Sequence, residues 1–203
     1  TTAIEAILKQ DSNHAPALNL LSRLTKERKR AIGYAERAYL SDTTNRYYLE
    51  DYGRALIEGG EYAKATPVFE KIVGKSTEPN DYRVLAILLD GSRRTQEAIA
   101  VLDTAEVRFG RIPPLGRLRQ YYLIKTGQTL AAEADAQKAI EEAPYLAENH
   151  ISLAEIYAAT RRDSLALASY RKAIAIDSLA VDPWLALAEH YQKRGNTGAY
   201  LTI

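Results

Sequence analysis

The chain has 203 residues, a formal net charge of +1 and no cysteine. A net charge this close to zero argues against a nucleic-acid-binding protein that depends on a strongly basic surface. The lack of cysteine excludes disulfide bonds, thiol catalysis and cysteine-based metal sites. No apolar run is long enough to span a bilayer. The compartment stays open between the cytoplasm and export with a removed leader, because no signal peptide is visible but the chain begins with Thr1.

Small residues, with Ile72 and Gln120 as the two exceptions, recur along the chain at a spacing of 33 or 34 residues. One series comprises Ala31, Ala65, Ala98, Ala132 and Ala166. A second series comprises Ala38, Ile72, Ala105, Ala139 and Ala173. A third comprises Gly53, Ala86, Gln120, Ala154 and Ala188. Three series in register predict a helical-repeat protein, because small residues mark the points where two helices cross closely.

In chain order, apolar residues at helical spacing predict pairs of helices joined by polar turns. Residues 1–11 are the second helix of a truncated repeat, and residues 181–203 are a truncated last repeat. Five full repeats lie between them, at residues 12–45, 46–78, 79–112, 113–146 and 147–180. We expect Gly59-Gly60 to end one first helix, because glycine readily adopts the left-handed backbone of a helix end.

The second repeat shows the motif most clearly, with Leu49, Tyr52-Gly53, Leu56, Ala65 and Phe69. This pattern resembles the tetratricopeptide repeat (TPR), a 34-residue helix-turn-helix unit, and the resemblance covers essentially the whole chain. It implies an all-α fold, a right-handed α-α superhelix (solenoid) of about five to six TPR-like helix hairpins. The fourth repeat departs from the pattern with Arg119-Gln120 in place of Leu-Gly. We therefore expect its first helix to pack loosely or to shift register.

No catalytic or metal-binding motif is visible in the sequence. The three histidines, His14, His150 and His190, lack the spacing of metal ligands, and we expect surface or groove positions for the last two. The adjacent Glu141 and Glu142 point to different sides of a helix, which indicates a solvated face. The sequence thus predicts no enzyme, no cofactor and no metal.

The TPR resemblance implies a protein or peptide partner, because the first helices of that fold line a concave groove that binds extended peptides or helices. The candidate groove residues are Arg23, Tyr47, Glu50, Arg54, Arg83, Ile87, Arg117, Tyr121, Glu148, Glu155 and Glu189. Their charges are mixed to basic in the N-terminal half and acidic in the C-terminal half, which would orient a partner. The equally open alternative is that these charges only keep the face soluble.

One TPR subtype binds the terminal carboxylate of a chaperone peptide in a clamp of lysine, asparagine and arginine side chains. The corresponding positions in this chain hold Asn19, Arg23, Asp51, Asn80 and Val84. Because Asp51 would repel a carboxylate, we predict that the chain is not a chaperone-tail clamp.

The apolar ends suggest a second function. Ile4, Ile7 and Leu8 near one end, and Tyr200, Leu201 and Ile203 at the other, resemble uncapped repeat ends. We therefore expect a fragment or processed product of a longer chain, whose ends pack on flanking sequence, on another molecule or on a second copy. In that case the chain would be an assembly subunit of a larger complex.

Basic turns suggest a third and less favoured function, RNA binding. They are Arg28-Lys29-Arg30, Arg93-Arg94, Arg161-Arg162 and Lys193-Arg194. Aligned on one edge of the array, they could contact phosphates despite the neutral net charge. Charged turns are nevertheless usually solvated, so nucleic acid is the weaker candidate partner.

Overall fold

The computed structural model describes residues 2–195, except for the side chain of Thr2. Within this range the chain forms helices and turns with no strand, which confirms the all-α helical-repeat array. The helices are α1 (Thr2–Gln10), α2 (Ala15–Leu24), α3 (Arg28–Ser41), α4 (Arg46–Gly59), α5 (Tyr62–Lys75), α6 (Pro79–Gly91), α7 (Thr95–Phe109), α8 (Pro113–Lys125), α9 (Thr129–Glu142), α10 (Ala147–Ala159), α11 (Asp163–Ile176) and α12 (Val181–Lys193). The predicted apolar end at Tyr200, Leu201 and Ile203 lies outside the described residues.

The chain divides into two compact units, Thr1–Val101 and Leu102–Ile203, called here the N-terminal and C-terminal units. In the N-terminal unit, each helix from α2 to α5 packs against the helix that follows it. In the C-terminal unit the helices from α8 to α11 do the same, and α10 also packs against α8 and α12. Such neighbour-to-neighbour packing is typical of repeat arrays, and it sets α8, α10 and α12 side by side.

The small residues of the repeat lie where helices cross. Ala65 and Ala166 are fully buried, with 0% of their surface exposed. Gly53 shows the constraint most directly, because a Cβ atom at this position would lie 3.1 Å from Phe69 and 3.2 Å from Val68. These two side chains belong to α5, which closes the hairpin with α4. A large side chain at position 53 would push the two helices apart.

From the second repeat onward, each turn inside a repeat contains one residue with a left-handed backbone conformation. Its φ lies between 60° and 79° at Gly60, Arg93, Gly127, Arg161 and Gly195. After the first four of these residues, the next residue bonds back to the preceding helix, as Glu61 N does to Leu56 O at 2.9 Å. This geometry satisfies carbonyl groups at the end of the helix, and Gly60 has the predicted conformation. Arg93 and Arg161 adopt this left-handed conformation although it is strained for a residue with a Cβ atom.

Gln120 occupies the small-residue position of α8 and changes how this helix packs. The residue is 5% exposed, and its Nε2 donates a hydrogen bond to Asp135 Oδ2 of α9 at 2.9 Å. The expected shift of register is wrong, because Gln120 keeps its buried repeat position and α8 packs against α9 and α10. The expected looser packing stays a prediction. A buried side-chain hydrogen bond here replaces the close approach of a small residue.

Asp135 is also the centre of an ion-pair network. Arg119 Nη1 lies 2.8 Å and Arg111 Nη2 lies 3.1 Å from Asp135 Oδ1. Arg111 contacts Glu106 as well, at 3.0 Å. The Asp135 side chain is only 7% exposed. Loss of this carboxylate would leave two largely buried guanidinium groups without the partner they share.

The left-handed arginines generate a stability prediction. Arg161→Gly should raise the free energy of unfolding by about 1 kcal/mol, because glycine has no Cβ atom to strain at a φ of 60°. Denaturant unfolding followed by circular dichroism measures the change. The reverse substitution at an equivalent turn, Gly127→Arg, should lower the free energy by a similar amount. An Arg161→Gly protein no more stable than the parent would contradict the assignment of strain.

The network generates a second prediction. Asp135→Ala should lower the free energy of unfolding by about 3–5 kcal/mol, because it leaves Arg111 and Arg119 without their shared carboxylate. Asp103→Ala is the control, since Asp103 also pairs with Arg119 but is 47% exposed; it should cost no more than about 1 kcal/mol. Equal losses in the two variants would show that the network does not depend on Asp135.

Candidate functional site

The exposed face of α8, α10 and α12 forms a cleft in the C-terminal unit. Its volume is about 520 Å³, and it is called here the C-terminal cleft. Tyr121, Glu155 and Glu189 line it, one from each helix at positions 34 residues apart. Arg117 of α8 lines it as well. The structure thus brings four of the predicted groove residues to one cleft.

Exposed ion pairs surround this cleft. Arg117 lies 3.5 Å from Glu148, another predicted groove residue, and 3.9 Å from Glu155. Lys193 lies 3.6 Å from Glu189. The side chains in these pairs are between 42% and 77% exposed. Exposed ion pairs contribute little to stability, so these groups can exchange their present contacts for the charges of a partner.

Glu155 is the carboxyl group most affected by the cleft. Desolvation by the surrounding helices raises the pKa of Glu155 above its ordinary value, and Arg117 and Lys193 lower it by less. The neighbouring carboxylate of Glu189 raises the pKa of Glu155 further. A raised carboxyl pKa means that the ionised form is incompletely compensated. A positive group from a partner would therefore be favourable beside Glu155.

Buried rings lie beneath the cleft. Tyr170 is 3% exposed, and its ring centroid is 5.5 Å from that of His190, which is 5% exposed. The expected surface or groove position is thus only partly right for His190, which lines the cleft from below. It is wrong for His150, which is 2% exposed and lies 3.3 Å from Pro144 O. Burial lowers the pKa of His150 and of His190 below the ordinary value, so both rings are neutral at pH 7.

Two predicted groove residues of the N-terminal unit, Arg23 and Arg54, line a second cleft of about 630 Å³, called here the N-terminal cleft. Arg23 Nη1 donates a hydrogen bond to the hydroxyl of Tyr47, a third predicted residue, at 2.7 Å. Asp51 is 4% exposed and accepts hydrogen bonds from Asn19 at 2.8 Å and from Arg54 at 2.7 Å. These contacts offset the charge that was expected to repel a carboxylate.

Glu50, Arg83 and Ile87 line neither of these clefts. Glu50 pairs with Arg46. Arg83 donates a hydrogen bond to Asn80 Oδ1 of the same helix at 2.8 Å, and Ile87 is 45% exposed. The role of these three residues in binding stays a prediction.

Several cleft residues were not among the predicted groove residues. Lys26, Arg28 and Glu58 line the N-terminal cleft, and Lys193 and Arg194 line the C-terminal cleft. All five lie in turns or at helix ends, whereas the TPR resemblance implies binding residues in the middle of the first helices. Four of them belong to basic runs in the turns, and three of these, Arg28, Lys193 and Arg194, were predicted there as phosphate contacts of the RNA-binding alternative.

Carboxylates pair with an arginine in most of the basic turns. The pairs are Arg94–Glu97 at 2.6 Å, Arg162–Glu133 at 2.8 Å and Arg194–Asp163 at 2.7 Å. Each pair lowers the positive potential that the turn presents to solvent. These contacts therefore weaken the case for RNA binding along the turns.

Residues 2–195 contain no group of three or more histidine, aspartate or glutamate side chains that could hold a metal ion. None of their helices combines the length and the apolar character that crossing a bilayer requires.

Comparison with known proteins supports the fold. No protein-family model and no curated protein matches the sequence. The crystal structure of YrrB, described as a TPR protein with an unusual peptide-binding site, has a TM-score of 0.64 at 21% identity and covers 94% of this chain and 98% of its own. A tetratricopeptide repeat protein from Parabacteroides merdae ATCC 43184 has a TM-score of 0.69 at 13% identity, over 100% of this chain and 77% of its own.

A third similar structure is MamA from Desulfovibrio magneticus RS-1, residues 41 to the end. It has a TM-score of 0.64 at 17% identity and covers 81% of this chain and 95% of its own. Sequence identities this low support a shared fold but not a shared binding partner. Together with the left-handed turns and buried small residues that recur every 33 or 34 residues, these similarities show that the chain has a TPR-like helical-repeat fold.

Proposed function

We propose that the chain is a protein-interaction scaffold that binds a peptide or protein segment in the C-terminal cleft. The observation that carries this proposal is the convergence of Tyr121, Glu155 and Glu189, which repeat at 34-residue intervals and line one cleft. TPR proteins in general serve as scaffolds for other proteins, and the peptide-binding site of YrrB supports the same kind of ligand here.

The chemistry of the cleft suits a peptide. Tyr121 is 57% exposed, and tyrosine is a frequent anchor in protein interfaces because it combines a large apolar ring with a hydroxyl group. Ile124 and Ala158 add apolar surface, while Arg117 and Glu155 offer one charge of each sign. A peptide backbone with one apolar and one charged side chain could satisfy all of these groups together.

Assembly within a larger complex is the second candidate function. The observation that favours it is the exposure of apolar residues before and at the start of α12, since Leu179 is 93% and Val181 is 73% exposed. Ile7 of α1 is also 41% exposed. Apolar side chains in such positions are often covered by a partner.

A binding experiment separates the two candidates. The full chain is used to capture partners from its native source, beside a Tyr121→Ala/Glu155→Lys variant. We expect the captured partner to bind the variant about tenfold more weakly or worse, because central aromatic and charged residues dominate interface energy.

The matched control for this experiment is Leu130→Ala/Glu141→Lys, which makes the same kinds of change at exposed positions on α9. It should bind as the parent does. Undiminished capture by the cleft variant would contradict the proposed site. If Leu179→Ser/Val181→Ser then abolished capture, assembly through the exposed apolar residues before and at the start of α12 would replace cleft binding.

The rings beneath the cleft generate a pH prediction. Burial lowers the pKa of His190 below its ordinary value of 6.5, and Lys193 and Arg194 lower it further while Asp163 raises it. Below about pH 6.5 the unfolded chain therefore binds a proton that the folded chain does not, and stability falls as the pH drops. His190→Gln should reduce the loss of stability between pH 7.5 and pH 5.5, measured by urea unfolding. An unchanged pH dependence would contradict the buried neutral ring.

A further inference from the structure

The N-terminal cleft lies where α2 ends, α3 begins and α4 passes by. Four cationic side chains line it, namely Arg23, Lys26, Arg28 and Arg54. Only two carboxylates, Asp51 and Glu58, line it with them. The cleft therefore carries an excess of two positive charges, although the chain as a whole has a net charge of only +1.

Three of these four cations have no carboxylate partner among residues 2–195. The side chains of Lys26 and Arg28 form no hydrogen bond or ion pair in this range, and that of Arg23 contacts the neutral hydroxyl of Tyr47 at 2.7 Å. Arg54 pairs with Asp51 at 2.7 Å. Asp51 is thus engaged, and its burial keeps it from acting as a counter-ion for the other three.

The other basic turns differ from this one. Arg94 lies 3.2 Å from Glu70, and Arg162 lies 2.8 Å from Glu133. The first basic turn has only the exposed pair Arg30–Glu27, at 3.1 Å, outside the cleft. Arg93 and Arg161 likewise have no carboxylate partner among residues 2–195, but each is the only unpaired cation of its turn, whereas Arg23, Lys26 and Arg28 line one concave surface together. This grouping favours an anionic ligand over a merely solvated turn.

The position of Arg28 adds to the electrostatic imbalance. Arg28 is the first residue of α3, whose first turn contains no acidic residue. The N-cap residue Glu27 makes no capping hydrogen bond with its side chain, which pairs with Arg30 at 3.1 Å instead. The dipole of a helix opposes positive charge at its N-terminus. A bound anion would compensate both the helix dipole and the unpaired side chains.

We propose that the N-terminal cleft binds a phosphate group. A phosphate monoester carries between one and a half and two negative charges at pH 7, about the excess positive charge of the cleft. A guanidinium group such as that of Arg23 or Arg28 can donate two parallel hydrogen bonds to two oxygens of one phosphate. The ammonium group of Lys26 adds a further positive charge. The phosphate belongs to a phosphorylated side chain of a protein partner or to a free phosphorylated small molecule.

Amide chemical shifts of the ¹⁵N-labelled full chain test this proposal. The probes are a short alanine peptide with one phosphoserine, the same peptide with serine, and inorganic phosphate, each at ionic strength matched with sodium chloride. We expect the phosphoserine peptide to cause saturable shifts at residues 22–28, and the serine peptide to cause none. Absence of saturable shifts with both phosphate probes would overturn the proposal.

Variants locate the site. Lys26→Ala/Arg28→Ala should weaken binding of the phosphoserine peptide about tenfold or more, because it removes two charge-assisted contacts. Lys29→Ala is the control, since Lys29 lies in the same turn but does not line the cleft, and it should bind as the parent does. Equal binding by the double variant and the parent would overturn the site. Circular dichroism of each variant confirms that the helices are intact.

The same titrations distinguish the sources of the phosphate. Tighter binding of the phosphoserine peptide than of inorganic phosphate supports a phosphorylated protein partner, and equal affinity supports a free phosphorylated ligand. A uridine octamer that binds more tightly than both, with a steep dependence on salt, would overturn the proposal in favour of RNA. Because this cleft lies in the N-terminal unit, these results do not depend on whether a peptide binds in the C-terminal cleft.

Discussion

Close approach between neighbouring helices is the constraint on which the rest of the structure depends. A lone hairpin leaves an apolar face that only the next hairpin can cover, and fully buried residues such as Ala132, Ala154 and Ala166 permit that approach. Because the packing in the C-terminal unit repeats from one hairpin to the next, residues 34 positions apart face the same way. The alignment of Tyr121 with Glu155 in one cleft follows from this regularity.

The packing of α8 shows that a buried polar contact can serve in place of a small residue. Gln120 bonds to Asp135 on one side and lines the C-terminal cleft on the other. Arg119 of α8 and Arg111, which lies just before α8, pair with the same carboxylate. The network thereby fixes α8 against α9 and, with it, the face that carries Tyr121. A buried polar contact requires a specific geometry, whereas a buried alanine requires only close helix approach. The packing of α8 therefore depends on the particular side chains that bind Asp135.

The repeat and its turns could be predicted from sequence because both are encoded locally. Periodic small residues indicated the helix crossings, and Gly60 marked a left-handed turn. Pairings between distant residues could not be predicted, because nothing in the local sequence shows that Asp51 is buried against Asn19 or that Arg162 pairs with Glu133. For the same reason the sequence did not separate the compensated basic turns from the one whose unpaired cations line the N-terminal cleft.

Amide hydrogen exchange of an Ala154→Phe variant tests the central constraint most directly. Ala154 is fully buried in α10, which packs against α8, α9, α11 and α12. We expect the larger side chain to force these helices apart and to remove amide protection from α10 and from the helices packed on it. Ala168→Phe, at an exposed position of α11, should leave protection unchanged. Parent-like protection in the Ala154→Phe variant would contradict the claim that close helix approach at the small-residue positions holds the array together.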